Sequence, residues 1–332
     1  MTANDRDAQE ALLALLDQPV LLIDGEQITY ANDAAMQLLG KHIVGANVRL
    51  ALRAPSAISA MLAPQGSRAL VPSIGTDDSV WELNCQLLGD RQRLVTMQDM
   101  SAQRSIARVH ADFVANASHE LRTPLANILG YVETLNDTKA GSDAETRKRF
   151  LGTIRREAER MQSLVEDLMS LSRIEASKHR LPSKHVGLAA ICNQIADEFS
   201  GNANITRKLP DEDIFIRGDE AQLCQMLRNL VDNAAKYGKL GGEIEISLTQ
   251  TASGWASLSV SNDGEGVPAE HIPRLTERFY RTDPGRSKAA GGTGLGLSIV
   301  KHIVIHHRGR LNISSRDGKG TNITIMLPLI AD

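Results

Sequence analysis

The stretch Ser118-His119-Glu120-Leu121-Arg122-Thr123-Pro124-Leu125 decides how the rest of the chain is read, because it places a histidine in a helical pattern just ahead of a proline. At about 100° per residue, Ala117, Leu121, Leu125, Ile128, Val132 and Leu135 fall between about 40° and 120° from Phe113, forming one apolar stripe. His119 falls at about 240°, facing away from that stripe, and Thr123 follows one turn later on the same face. Pro124 cannot donate to the Glu120 carbonyl and its ring crowds it, so a bend is expected just past the histidine. The helix is expected over residues 102–137 and a break over 138–143, where Gly, Ser and Asp offer turn and cap chemistry. In the next helix Leu151, Ile154, Ala158, Met161, Val165 and Leu168 recur with heptad spacing. Two antiparallel helices cannot cover both stripes alone, which points to a symmetric dimeric four-helix bundle.

Composition sets the frame for this hairpin. A chain of 332 residues, 42% hydrophobic and 23% charged, is globular and long enough for two or three domains. A net charge of −3 supplies no general attraction for nucleic acid or anionic lipid. Cys85, Cys192 and Cys224 are widely spaced and form no metal or redox motif, so reduced structural thiols are expected. No run of about 18 apolar residues is present. The expectation is a cytoplasmic protein, free or peripheral to the inner membrane, or part of a longer chain whose spans lie outside it.

Before the hairpin, residues 9–100 alternate short apolar runs with turns. Strands are expected at 20–25, 28–32, 80–88 and 93–98, with a helix at 34–39, giving a small mixed α/β sensor module. After Pro182, residues 183–330 read as a second α/β domain with strands at 213–217, 243–249, 256–261, 311–315 and 321–327. Within it, Asn229 and Asn233 are four apart on one helix face, and an amide oxygen is a hard ligand suited to Mg²⁺. The run Asn262-Asp263-Gly264-Glu265-Gly266 permits close backbone approach. Residues 282–290 are polar and contain Pro284 and Gly285, as a lid would. The glycine-rich run 291–296 leads straight into an apolar helix over 297–305, which presents free backbone N–H groups as an anion site.

Together these segments resemble the sensor histidine kinases of two-component systems. HELRTPL is similar to their H box, residues 227–238 to the N box, Asn262 to Gly266 to the G1 box, Arg274 to Arg281 to the F box, and Gly291 to Ser298 to the G2 box. LLIDGEQITYANDAAMQLLGKHIVG resembles the opening of a PAS domain, and Leu52-Arg53-Ala54-Pro55 with Asp99-Met100-Ser101 is similar to the phosphate-regulon type. The resemblance implies a multidomain α+β protein. Its parts would be a PAS-like sensor (9–100), a dimerisation and histidine-phosphotransfer hairpin (102–180), and an α/β-sandwich ATP-binding domain of the gyrase, Hsp90 and histidine kinase type (183–330).

It also implies roles residue by residue. His119 would be the phosphoacceptor and Glu120 its base. Asn229, Asn233, Lys236, Tyr237, Asn262, Gly264, Gly266, Phe279, Arg281, Thr293, Gly294, Leu295, Gly296 and Leu297 would bind ATP. Asn233 would hold Mg²⁺, and Lys236 and Tyr237 would face phosphate and ribose. The adenine-reading Asp of the G1 box is Asn262 here, which loses a charge-assisted hydrogen bond and implies weakened or retuned ATP binding. Thr123 fits the family's phosphatase motif, the alternative being a backbone bond near the proline. The partners implied are a second copy and a response regulator receiver domain, with no direct nucleic acid and no transmembrane segment in this chain. Only His42 and Cys85 could ligate a cofactor in the PAS-like part, and none is expected. A non-catalytic scaffold or phosphatase is the rival reading, favoured only by Asn262.

Overall fold

The computed structural model describes residues 3–77, 79–89, 91–136, 143–177, 180–201, 203–282, 292–316 and 318–330. The hairpin break expected at 138–143, apart from Asp143, and the lid expected at 282–290, apart from Thr282, lie outside these residues, as does Gly291. The chain divides into two compact units, Met1–Val114 and Ala115–Asp332, and each is taken by itself.

The first unit is built on a five-stranded antiparallel sheet. Its strands are β1 (Val20–Asp24), β2 (Gln27–Ala31), β3 (Ser67–Pro72), β4 (Val80–Leu87) and β5 (Gln92–Asp99), in the order β2-β1-β5-β4-β3. β1 and β2 are joined by two residues, of which Gly25 takes φ +61°, the left-handed region that such tight hairpins use. Four helices accompany the sheet: α1 (Ala3–Ala14), α2 (Asp33–Leu39), α3 (Val48–Ala51) and α4 (Pro55–Met61). Leu21, Ile23, Ile28, Leu83, Val95 and Met97 are fully buried against Ile43, Met61 and Val71. β3 was not expected: as an edge strand it alternates exposed and covered residues and closes on Pro72, so it lacks a dense apolar run.

Asn32 ties this unit together. Its buried side chain accepts from Val20 N and Ala35 N, both at 3.0 Å, and donates to the Leu16 and Gln18 carbonyls, both at 2.9 Å. It therefore caps α2 and satisfies the chain leading into β1 at once. Asn32→Ala should lower the unfolding free energy of this unit by about 3 kcal/mol, since several backbone groups lose their partner. A denaturant midpoint within error of wild type would refute that account.

The second unit begins within α5 (Ser101–Asn136), which is paired with α6 (Ala144–Ser177). α5 runs unbroken through Pro124, so the proline is accommodated without ending the helix. Asp143 caps α6, accepting from Thr146 N at 2.9 Å. Tyr131 and Phe150 meet across the hairpin with ring centroids 5.0 Å apart. Leu125, Leu129, Val132, Leu151 and Val165 remain exposed along it. The residues of α6 that are buried are Leu164, Ser170, Leu171 and Ile174, which lie off the heptad seam.

The remaining part is a sheet of order β11-β12-β10-β9-β7, covered by helices. It comprises β7 (Asn204–Lys208), β9 (Glu243–Thr251), β10 (Trp255–Asn262), β11 (Arg310–Ser315) and β12 (Thr321–Pro328), with β7 parallel to β9 and the other pairs antiparallel. β6 (Lys184–Gly187) and β8 (Phe215–Gly218) form a separate two-stranded ribbon. The covering helices are α7 (Leu188–Phe199), α8 (Glu220–Tyr237) and α9 (Gly296–His306). α8 buries Leu223, Met226, Leu227, Leu230, Val231 and Ala234, a 3-and-4 spacing that leaves Asn229, Asn233, Lys236 and Tyr237 off the core face. β6 and β7 were not expected, because Lys184–Gly187 and Asn204–Lys208 are short and mostly polar. α9 also packs on α6, which makes hairpin and sheet domain one compact unit.

Candidate functional site

His119 is exposed on α5, as its helical phase requires. The Thr123 hydroxyl donates to the His119 carbonyl at 3.3 Å, the local bond open to any mid-helix threonine. Glu120 is held by two arginines: its Oε2 accepts from Arg160 of α6 at 3.3 Å and from Arg281 at 3.0 Å. The Arg281 side chain is only 7% exposed, so this ion pair is shielded more than a surface pair would be.

A cleft of about 390 Å³ opens between α6, α8, the end of β10 and the start of α9. Of the residues singled out in the sequence, Asn229, Asn233, Lys236, Tyr237, Asn262, Arg281, Thr293, Gly294, Gly296 and Leu297 line it. Val260, Val267, Leu275 and Ile323 supply an apolar wall. The Asn229 amide donates to the Gly296 carbonyl at 3.3 Å, tying α8 to the first turn of α9. Lys236 pairs with Asp232 one turn earlier at 2.7 Å. Among the described residues no hydrogen bond engages the Asn233 amide, which leaves its oxygen available to a hard cation.

Four of the residues expected to bind ATP are not part of the cleft lining, and each has a local structural role. A Cβ at Gly264 would stand 2.1 Å from the Tyr237 carbonyl, so the absence of a side chain here admits the end of α8. Gly266 takes φ +82° in the loop after β10. Phe279 takes φ +63° and its N–H donates to the Gly294 carbonyl at 2.9 Å. Leu295 is fully buried beneath α9, its N–H bonded to Thr293 Oγ1 at 3.3 Å.

Asn262 lies on the cleft side of β10, whereas Asp263 turns into a separate depression beside Gly242. The Asn262 amide donates to the Ala234 carbonyl at 3.2 Å and accepts from Thr321 N at 3.0 Å.

Sequence reasoning missed the contribution of α6. Ser163, Glu166 and Asp167 line the cleft, and Asp167 Oδ2 accepts from Thr293 Oγ1 at 2.8 Å. Burial pushes the Asp167 carboxyl above the ordinary carboxylate range, while the Thr293 bond and Lys236 oppose that rise. Further along α6, Glu175 pairs with Arg278 and Ser170 donates to Gln225 Oε1 at 2.6 Å. The available signal was that Ser163, Glu166, Asp167 and Ser170 fall off the heptad seam; the partners of Asp167, Ser170 and Glu175 are more than 50 residues away.

This combination of a helical hairpin and a helix-covered mixed sheet with a glycine-rich cleft defines a class, and comparison with known proteins agrees with it. Residues 218–331 match the model described as histidine kinase-, DNA gyrase B-, and HSP90-like ATPase, residues 109–177 the His Kinase A (phospho-acceptor) domain, and residues 9–68 a PAS domain. The phosphate regulon sensor protein PhoR of Pseudomonas aeruginosa is 38% identical over 95% of this chain and 73% of its own length. The sensor protein kinase WalK of Staphylococcus saprophyticus is 29% identical over 98% of this chain, which spans only 56% of that relative. Among solved structures, Acinetobacter baumannii histidine kinase AdeS aligns with TM-score 0.51 and 25% identity, over 64% of this chain and 98% of its own. Histidine kinase ThkA, solved in complex with response regulator protein TrrA, aligns with TM-score 0.55 over 96% of this chain and 98% of its own; at 21% identity it bears on the fold alone. The chain belongs to the two-component sensor histidine kinase family. Its activity is that of an ATP-dependent protein-histidine kinase with an N-terminal PAS domain. Among the described residues no helix is long and apolar enough to cross a membrane.

Proposed function

We propose that the chain phosphorylates His119 from Mg²⁺-ATP held in this cleft and passes the phosphoryl group to an aspartate of a response regulator receiver domain. The observation that carries the reading is the Glu120–Arg281 ion pair, which links the residue beside His119 to the rim of the cleft within one compact unit. His119 supplies the nucleophilic nitrogen and Glu120 the carboxylate that accepts its proton once released from the arginines. The start of α9 offers backbone N–H groups to the phosphates, and Lys236 adds a positive charge. Phosphoryl transfer depends mainly on such positioning and charge stabilisation. The donor set suits Mg²⁺, with Asn233 as its ligand; the ion would offset phosphate charge when bound with the nucleotide. Incubation with γ-labelled ATP should give acid-labile, base-stable label on the protein, and a chain that stays unlabelled at saturating Mg²⁺-ATP would overturn the reading.

The exposed apolar residues of α5 and α6 support a homodimer that buries both stripes in a four-helix bundle. The likeness to PhoR supports a role in phosphate-responsive signalling, a process named for that relative. Removal of phosphate from the regulator is assigned to Thr123, whose exposed hydroxyl shares the His119 face and can exchange its 3.3 Å backbone bond for a water. Thr123→Ala should leave labelling of His119 within about twofold while slowing regulator dephosphorylation about tenfold or more. Equal losses in both assays would reduce Thr123 to a structural role.

A further inference from the structure

We propose that Asn262 relaxes the purine selectivity of the cleft, so that 6-oxopurine nucleotides are accepted alongside ATP. This rests on the reading that the apolar wall holds the base with Asn262 at its 6-position. Replacement of a carboxylate by an amide is usually a loss of strength; at this position it is also a change in what the wall can recognise.

The amide cannot flip. Its Nδ2 donates to the Ala234 carbonyl and its Oδ1 accepts from Thr321 N, and reversing the group would set N–H against N–H and oxygen against oxygen. Each end therefore keeps one unused capacity, a second N–H at Nδ2 and a second lone pair at Oδ1. The oxygen can accept from the 6-amino group of adenine. The N–H can donate to the 6-oxo group of hypoxanthine or guanine.

A carboxylate here would have offered acceptors alone. It would oppose a 6-oxo group, leaving two buried acceptors face to face with no proton between them, which excludes the wrong base by repulsion. The neighbouring carboxylate does not restore that exclusion, because Asp263 lines the depression on the other side beside Gly242. Nor is Asn262 free to withdraw, because both ends of its amide are already bonded to backbone.

The test uses the full chain with Mg²⁺, displacing a fluorescent ATP analogue with ATP and with inosine triphosphate, which carries the 6-oxo group without the 2-amino group of guanine. Wild type should bind the two within about tenfold of each other, and Asn262→Asp should widen the ratio in favour of ATP by about 100-fold. If wild type already rejects inosine triphosphate by more than about 100-fold, the inference is overturned while the nucleotide site stands. The wild-type ratio decides this even if Asn262→Asp folds poorly, since the carboxylate cannot donate to Ala234. If neither nucleotide displaces the analogue, it is the assignment of the cleft that falls.

Discussion

A His119→Gln protein should carry no acid-labile phosphate at any time of incubation, while displacing a fluorescent ATP analogue as wild type does. The expectation is one of kind rather than degree. Glutamine keeps a polar side chain on an exposed helix face and costs the helix little, so folding and docking are unaffected. It has no nitrogen lone pair free to form the phosphoramidate bond, because the amide nitrogen is delocalised into its carbonyl. Of the nine histidines, His306 and His307 are buried in α9 and its C-cap, and His307 Nδ1 is committed to the Ile303 carbonyl at 2.8 Å. Burial also lowers the His307 pKa, keeping that ring neutral. Label persisting on the Gln variant would remove His119 from the mechanism.

Asn233→Ala is expected to reduce autophosphorylation by about 100-fold or more at ordinary Mg²⁺, in the range seen when a fixed electrostatic donor or ligand is lost. The position is otherwise permissive. Asn233 is on the cleft side of α8, flanking the buried face, and alanine is the better helix former, so stability should rise by a few tenths of a kcal/mol. Thermal unfolding without nucleotide and labelling with it therefore move in opposite directions. A near-normal rate at ordinary Mg²⁺ would mean that the metal is held elsewhere. A rate restored by raised Mg²⁺ would instead place the defect in metal affinity, as a lost ligand requires.

How much of this was legible in the sequence follows from how local each cause is. The hairpin helices announce themselves through period, and α8 and α9 through an apolar face bounded by Asp219 and a glycine run. The ladder of β9 and β10 is equally plain, since Ile244, Ile246 and Leu248 alternate with polar residues. β7 escaped notice because its strand character comes from pairing parallel to β9 across 39 residues rather than from its own composition. Four of the motif residues expected to bind ATP have local roles that only the structure reveals: Gly264 makes way for the Tyr237 carbonyl, and Gly266, Phe279 and Leu295 shape the loops and helix start around the cleft. A motif reports that a position is constrained, and the nature of the constraint emerges only when its neighbour in space is known. The same holds for Asp167, whose partner Thr293 lies 126 residues away.

That hydrogen bond makes α6 a competitor as well as a wall. Asp167 projects a carboxyl group to the threshold of α9, where the polyanion of a nucleotide would be received. Two negative charges cannot share one low-dielectric mouth without cost, so a nucleotide bound there would oppose the seating of α6, and by reciprocity each would weaken the other by the same factor. The apparent dissociation constant for nucleotide would then be the intrinsic one divided by the fraction of molecules in which α6 has stepped aside. Protons enter the same balance. Because the seated Asp167 favours its neutral form, seating is tightest in acid; it begins to weaken as pH rises past the ordinary carboxylate range and reaches its full penalty above the raised value. The Asp167–Thr293 contact would thus couple the placement of one helix to the share of nucleotide the enzyme can bind.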